Sequence, residues 1–380
     1  MGFRKILFWA HLVSGVVAGV FIFFMSATGV LLTYEHHIID AMTAGKRIEV
    51  PADAERLSVD EMAAIAREAT DARAPSLSLI NRADAPFLIE GRGVETMTFN
   101  PYTGEEVPNG VAGYDGFAGQ MMRLHRWLGM EGESRKVGRA ITGAANLAFL
   151  FAVVSGLYLW FPKAMKWPFI RMHLFFNMNP PTAKARDYNW HHVLGIWCLV
   201  PLFFIVISGV VMSYPWANAA VYRAFGEEPL TRRRTPQAEE GRVEDPADLA
   251  SLQDAVDAAA AWGEGPWRKI SFTLPSDKSD ANLAVQRYVS VDRLPSKRVT
   301  LNYDRRTGEF TSVETYADVS AGRKARIFMR YVHTGEQYGI LGGTIAGLAS
   351  LGACFLAYTG MALSYRRLVL PLLRRRKAKA

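Results

Sequence analysis

HLVSGVVAGVFIFFMSATGVLLTY (His11–Tyr34) and HHVLGIWCLVPLFFIVISGVVMSY (His191–Tyr214) decide how this chain is read. Each opens on histidine and then places Gly, Gly and Tyr at offsets of +4, +18 and +23: Gly15, Gly29 and Tyr34 in one, Gly195, Gly209 and Tyr214 in the other. Ser26 stands three residues before Gly29 whereas Ser208 directly precedes Gly209, so the copies match closely but imperfectly. The repeat continues downstream. His125 precedes Gly143 and Gly156, and His333 precedes Gly347 and Gly360; the two glycines are 13 residues apart in both copies, and the second copy lacks about four residues after its histidine.

A membrane-crossing helix needs about 20 mostly apolar residues. Four windows qualify: Leu12–Tyr34, Ala140–Phe161, Val193–Tyr214 and Ile340–Tyr365, none of which contains Lys, Arg, Asp or Glu. The first is too long for the apolar core of a signal peptide and has no clear small-x-small cleavage site, so it reads as a retained helix. Between the windows lie two soluble stretches that also repeat. MTFNPYTGEEV (Met97–Val107) parallels VTLNYDRRTGEFTSV (Val299–Val313), each reading as two strands around a turn that contains Thr-Gly. An amphipathic helix is expected before each, Val59–Ala69 entered through Ser58 and Leu249–Trp262 entered through Asp248.

The expected fold is thus an α-helical membrane protein: a four-helix transmembrane bundle made of two parallel repeats about an axis along the membrane normal, with two small α+β domains outside it. By segment, this gives helix 1 in 1–35, a first periplasmic domain in 36–120, a histidine motif and helix 2 in 121–162, and a cytoplasmic loop in 163–188. Helix 3 follows in 189–215, a second periplasmic domain in 216–325, and a histidine motif, helix 4 and a basic tail in 326–380.

The formal charge of +8 is local. Arg4 and Lys5 sit at the N-terminus; Lys163, Lys166, Arg171, Lys184 and Arg186 face a single acid, Asp187, in the loop between windows two and three. Arg366, Arg367, Arg374, Arg375, Arg376, Lys377 and Lys379 crowd the tail. The positive-inside rule places these segments, and both termini, in the cytoplasm of a bacterial inner membrane. Clusters beside apolar runs suit anionic lipid and argue against nucleic acid. The two cysteines, Cys198 and Cys354, lie in apolar runs. There is no disulfide framework, zinc spacing, covalent haem attachment motif or iron–sulfur pattern, so a redox cofactor would be held non-covalently by ligands other than thiolate.

Of eight histidines, four are matched by the repeat. His11 and His191 open windows one and three at the cytoplasmic end, and His125 and His333 precede windows two and four at the periplasmic end. A pseudo-two-fold axis sets the members of each pair opposite one another, which suits two imidazoles on the axial positions of a flat macrocycle. Gly15, Gly19, Gly195, Gly143, Gly342, Gly343 and Gly347 would clear room for it, although glycine also serves close helix packing. Arg123, Arg126 and Arg330 beside the outer pair, and Arg4 and Lys5 near His11, are candidates for haem propionates or for interfacial anchoring. His36 and His37 are expected to face water, His173 to lie on an interfacial helix (WPFIRMHLFF), and His192 to point about 100° away from His191.

WAHLVSG with SATGVLL (Trp9–Leu32), LHRWLG (Leu124–Gly129) with SGLYLWFP (Ser155–Pro162), WHHVLGIW with VISGVVMSYP (Trp190–Pro215), and VHTGEQYG (Val332–Gly339) together resemble the PepSY-associated transmembrane helix family over nearly the whole chain. The first motif departs from the family's His-Arg-Trp-Leu-Gly, so a propionate partner after His11 is missing. The resemblance implies PepSY-like periplasmic domains, two haem b groups on His11, His191, His125 and His333 (favouring His191 over His192), and the activity of a ferric-siderophore reductase of the ferrioxamine type. Electrons would enter from a flavoprotein or quinol, since the chain carries no nicotinamide or flavin motif, and leave to a ferric siderophore in the periplasm near Trp127, Tyr331 and Tyr338. Two other classes stand beside this one. A siderophore or iron transporter is disfavoured by spans with no charged residue and no broken helix. A non-catalytic binding or sensor membrane protein would be colourless when purified.

Overall fold

The computed structural model describes residues 2–42, 46–52, 55–72, 74–91, 94–108, 111–162, 165–229, 248–276, 279–290 and 294–377. Lys163 and Lys379 of the basic clusters lie outside these residues. In chain order the elements are α1 (Phe3–Leu32), α2 (Glu35–Met42), α3 (Val59–Glu68), β1 (Ser76–Ile80), β2 (Phe87–Gly91), β3 (Val94–Phe99), α4 (Val111–Trp127), α5 (Arg135–Trp160), α6 (Trp167–Leu174), α7 (Ala183–Trp197), α8 (Leu199–Ser213) and α9 (Pro215–Arg223). They continue with α10 (Leu252–Ala261), β4 (Lys269–Thr273), β5 (Asn282–Tyr288), β6 (Arg298–Asp304), β7 (Glu309–Glu314), α11 (Ala321–Thr334), α12 (Gly339–Leu368) and α13 (Leu370–Lys377). The chain divides into two compact units: Met1–Tyr34, Ala118–Pro229 and Ala321–Ala380 in one, Glu35–Phe117 and Leu230–Ser320 in the other.

The first unit is helical. Among the described residues, the helices built on α1, α5 and α12 are long and apolar enough to cross a membrane. They leave Val17, Phe24, Val154 and Leu348 exposed, as a lipid-facing surface requires. The third window differs from its expected single helix. It breaks at Cys198 into α7 and α8, which meet at a bend of 71°, and so makes a fourth crossing only if the bent pair counts as one. Pro201 supplies the cause: it has no N–H to give the carbonyl of Trp197, and its ring crowds that carbonyl. The absence of a broken helix, read from the sequence as evidence against transport, therefore does not hold. Within 163–188 a helix forms around His173 as expected, α6, and α7 begins at Ala183, before the third window.

α1 packs between α5 and α12, α7 lies on α12, and α8 lies on α5. The helices bearing the later histidines, α4 and α11, fold back onto this group. Leu128 (φ 55) and Gly129 (φ 73) reverse the chain after α4, and Gly335 (φ 80) does so after α11. These left-handed turns favour glycine.

The second unit corrects the expectation of two small domains. Both soluble stretches build one antiparallel seven-stranded sheet in the order β3-β2-β1-β4-β5-β6-β7. The seam is β1 against β4, with Ser76 opposite Thr273 and Ser78 opposite Ser271. A single core joins Leu77, Phe87 and Ile89 of the first stretch to Ile270, Phe272, Val285 and Leu301 of the second, under α3 and α10. The first predicted hairpin is half-formed: among the described residues its return arm makes an isolated bridge, Phe99 with Glu106, and a hydrogen bond from the Val107 amide to the Thr98 carbonyl, but no strand. The second is complete in β6 and β7. α3 starts at Ser58 as expected, with a capping box to Glu61. α10 starts at Ser251, with a capping box to Asp254, three residues later than the sequence suggested. Asp60 also accepts from the amides of Leu252 and Gln253, and the Gln253 side chain accepts from the amide of Val59, so each helix caps the other. His36 and His37 lie on α2 and are half-buried.

Candidate functional site: two facing histidine pairs

The helical unit brings the four repeat-matched histidines together in two pairs. The rings of His11 and His191 stand 6.4 Å apart, centre to centre, with planes crossed at 89°. Those of His125 and His333 stand 6.2 Å apart with planes at 70°. The pairs occupy two levels of the unit: α1 carries His11 at one level and touches His125 through Thr28, 17 residues on, which is about 25 Å along a helix axis.

Each histidine is held from behind by a hydroxyl. Nδ1 of His11 lies 2.9 Å from Ser155 Oγ, that of His191 3.0 Å from Thr359 Oγ1, that of His125 3.0 Å from Thr28 Oγ1, and that of His333 3.1 Å from Ser208 Oγ. The direction of these bonds follows from donor counting. Every hydroxyl spends its one proton on a backbone carbonyl of its own helix: Ser155 on Phe151 (2.6 Å), Thr359 on Phe355 (2.7 Å), Thr28 on Phe24 (2.7 Å) and Ser208 on Ile205 (2.8 Å). The oxygen must then accept from Nδ1–H. His333 Nδ1 also lies 2.8 Å from the Ile205 carbonyl, which can only accept. All four rings therefore carry their proton on Nδ1 and present an unprotonated Nε2, the form that binds a metal.

These hydroxyls obey the repeat, and the sequence reading missed them. Ser155-Gly156 matches Thr359-Gly360, and Thr28-Gly29 matches Ser208-Gly209. Comparing Ser26 with Ser208 hid the second match; treating Ser and Thr as one hydroxyl class reveals it. The glycines serve the same rings. A Cβ at Gly156 would meet Cε1 of His11 at 3.4 Å, at Gly360 that of His191 at 3.3 Å, and at Gly29 that of His125 at 3.6 Å.

The spacing of the pairs limits what fits between them. Two imidazoles bound through nitrogen to one metal ion at about 2.0 Å, with roughly 1.1 Å from nitrogen to ring centre, have centres about 6.2 Å apart. Both pairs match this distance. Among the described residues no group of three or more His, Cys, Asp or Glu is placed to hold an ion, so neither pair can complete a four-coordinate zinc site from side chains. A porphyrin supplies its own four equatorial nitrogens and asks the protein only for two axial ones, and the donor set fits that group.

Room exists beside the first pair. A cavity of about 1370 Å³ is lined by His11, His191, Gly15, Gly19, Gly156, Gly195 and Gly360. It exceeds the roughly 300–1,000 Å³ of ordinary small-molecule sites. Among the described residues no acidic side chain lines it, whereas Arg4, Lys5, Lys184 and Arg367 do. Three of the seven glycines expected to clear space, Gly15, Gly19 and Gly195, line this cavity. Gly143 instead abuts the Tyr214 ring, Gly342 and Gly343 take the close turn at Gly335, and Gly347 abuts Thr33.

The candidate propionate partners are variously engaged. Arg123 pairs with Glu131 at 3.3 Å. Arg126 lies 4.9 Å over the Trp127 ring, and Arg330 5.3 Å over that of Tyr331. Tyr331 is buried and Tyr338 exposed. His192 is turned away from His191, as expected. Its Nδ1–H donates to the Tyr188 carbonyl and its ring packs on His173, which is buried on α6 and bonded to the Trp160 carbonyl.

Comparison with curated proteins returned no match. The family model for the PepSY-associated TM region matches residues 8–367, a span that takes in both histidine pairs and all four hydroxyls, and on that match this membrane protein belongs to the PepSY-associated transmembrane family.

Proposed function

We propose that this chain is a di-haem b reductase of the bacterial inner membrane that delivers electrons to a ferric siderophore in the periplasm. One haem would be held by His11 and His191, the other by His125 and His333. The observation that carries this reading is the double occurrence of facing, metal-competent imidazoles at a separation suited to one metal ion. When bound, haem supplies reversible one-electron chemistry that no side chain here offers.

The chain's own residues do the rest. The four histidines bind through Nε2, and Ser155, Thr359, Thr28 and Ser208 fix tautomer and ring plane so that no reorganisation is needed on binding. The cations lining the first cavity suit the carboxylates of a porphyrin. With the basic segments on the cytoplasmic side, the first pair lies toward the flavoprotein or quinol donor and the second toward the acceptor. One electron converts siderophore Fe(III) to Fe(II), which hard oxygen ligands hold more weakly, and iron is released.

The test is a visible spectrum of detergent-purified protein. A Soret band that is reducible by dithionite and reoxidised by a ferric siderophore is expected, with two haems per chain. His333→Ala should remove about half of the haem, because it deletes one of the two histidines that would hold one group. A colourless, folded preparation would sink the reading in favour of a binding or sensor protein. A transporter is the second reading, favoured by the bend between α7 and α8. Uptake of labelled siderophore into proteoliposomes without any reductant would support it over the reductase.

A further inference from the structure

His191 differs from its repeat-mate in how its helix is held. α1 is continuous over 30 residues and carries both His11 and Thr28, so its rotation is set along its whole length. α7 has 15 residues and ends at a 71° bend, so α8 does not dictate how α7 is turned about its own axis. Something else must fix that rotation if His191 is to meet a group shared with His11.

The structure offers a specific device. Asp187 lies one turn before His191 on α7 and is wholly buried. One carboxylate oxygen pairs with Arg366 of α12 and the other with Arg186 at 2.9 Å. Arg366 lies seven residues, two helical turns, beyond Thr359, so both stand on one stripe of α12. That stripe meets the α7 stripe of Asp187 and His191 at two points: the ion pair, and the His191 ring against Thr359 and Gly360. A buried carboxylate is costly unless paired, so the contact tolerates little rotation. The repeat shows that the device belongs to the broken half. At the position of Asp187 the first half has Leu7, and on that side Arg4 bonds to the Leu159 and Phe161 carbonyls at the end of α5.

We propose that Asp187, clamped by Arg366, is a positioning residue for His191: it locks the rotation of α7 so that the His191 ring faces His11 across the first site. The proposal rests on the haem reading above, and its test separates the two. Full-length wild-type protein, Asp187→Asn, Arg366→Gln and Asp187→Glu are purified and compared for haem content, absorption spectrum and midpoint potentials, with His11→Ala and His125→Ala marking which signal belongs to which pair. The asparagine and glutamine variants should bind the first-site haem about 10–100-fold more weakly, the usual penalty for losing an outer-shell support, and leave a spectrum like that of His11→Ala. Asp187→Glu should restore the site. Wild-type content and unchanged potentials in Asp187→Asn would overturn the proposal while leaving the haem reading intact. So would loss of both haems together, because Asp187 would then support the fold and not one site. Wild-type protein without haem would refute the reading beneath it.

Discussion

The two halves of the helical unit reach the same arrangement by different mechanics. In the first, a histidine and a hydroxyl sit 17 residues apart on one continuous helix, His11 and Thr28 on α1. In the second, the equivalent His191 and Ser208 are also 17 residues apart but lie on α7 and α8, with a 71° bend between them. Yet the rings end at closely similar separations, 6.4 and 6.2 Å. The ring geometry is therefore set locally, by each histidine against its hydroxyl on a neighbouring helix, and not by the continuity of the helix that carries it. On the bent side, α7 is tied to that neighbour by an additional contact, Asp187 with Arg366.

The hydroxyls give the largest expected effect on this comparison after loss of a ligand itself. Thr359→Val removes the acceptor for His191 while keeping the shape, and a lost outer-shell partner typically costs about 10–100-fold in affinity. Ser155→Ala does the same to His11. Haem titration should show the greater loss for Thr359→Val, because the rotation of α7 rests on a few contacts with α12 whereas α1 is held along its whole length; equal losses would mean that the bend is irrelevant to histidine placement.

Pro201→Ala addresses the bend directly. It restores the missing N–H toward the Trp197 carbonyl and removes a helix break. Circular dichroism should register little change, whereas first-site haem binding should weaken and the second site, which has Ser208 beyond the break, should hold. Unchanged binding at the first site would show that α7 is seated by its packing on α12 alone.

The smallest effects belong to the glycines. Gly360→Ala would bring a methyl group to 3.3 Å from His191 Cε1, and Gly156→Ala one to 3.4 Å from His11 Cε1. Each ring must yield by a few tenths of an ångström, so a shifted absorption maximum with haem retained is expected. A larger shift is expected in Gly360→Ala, where the ring rides on the shorter helix.

How much of this was legible beforehand depends on the range of the interaction. Hydropathy over 20-residue windows is local, and the first, second and fourth windows became α1, α5 and α12 with shifted ends. The break was written in Pro201, but its apolar surroundings masked it. The histidine pairs emerged because a repeat supplies symmetry, and symmetry carries long-range information that periodicity does not. The hydroxyls were within reach once Thr28 was aligned with Ser208. What stayed hidden were pairings between distant segments: Ser76 with Thr273 across the sheet seam, and Asp187 with Arg366 between helices. Asp187 looked like a lone acid in a basic loop, since nothing local shows that its partner stands 179 residues away.

The β1–β4 seam makes the two copies of the repeat inseparable. Cut between them, the chain would leave two half-sheets, each with a bare strand edge whose amides and carbonyls point at nothing. The mutual caps of α3 and α10 would be lost with it. Half-length fragments should then be insoluble alone and recover only when produced side by side, each finding in the other the strand it lacks.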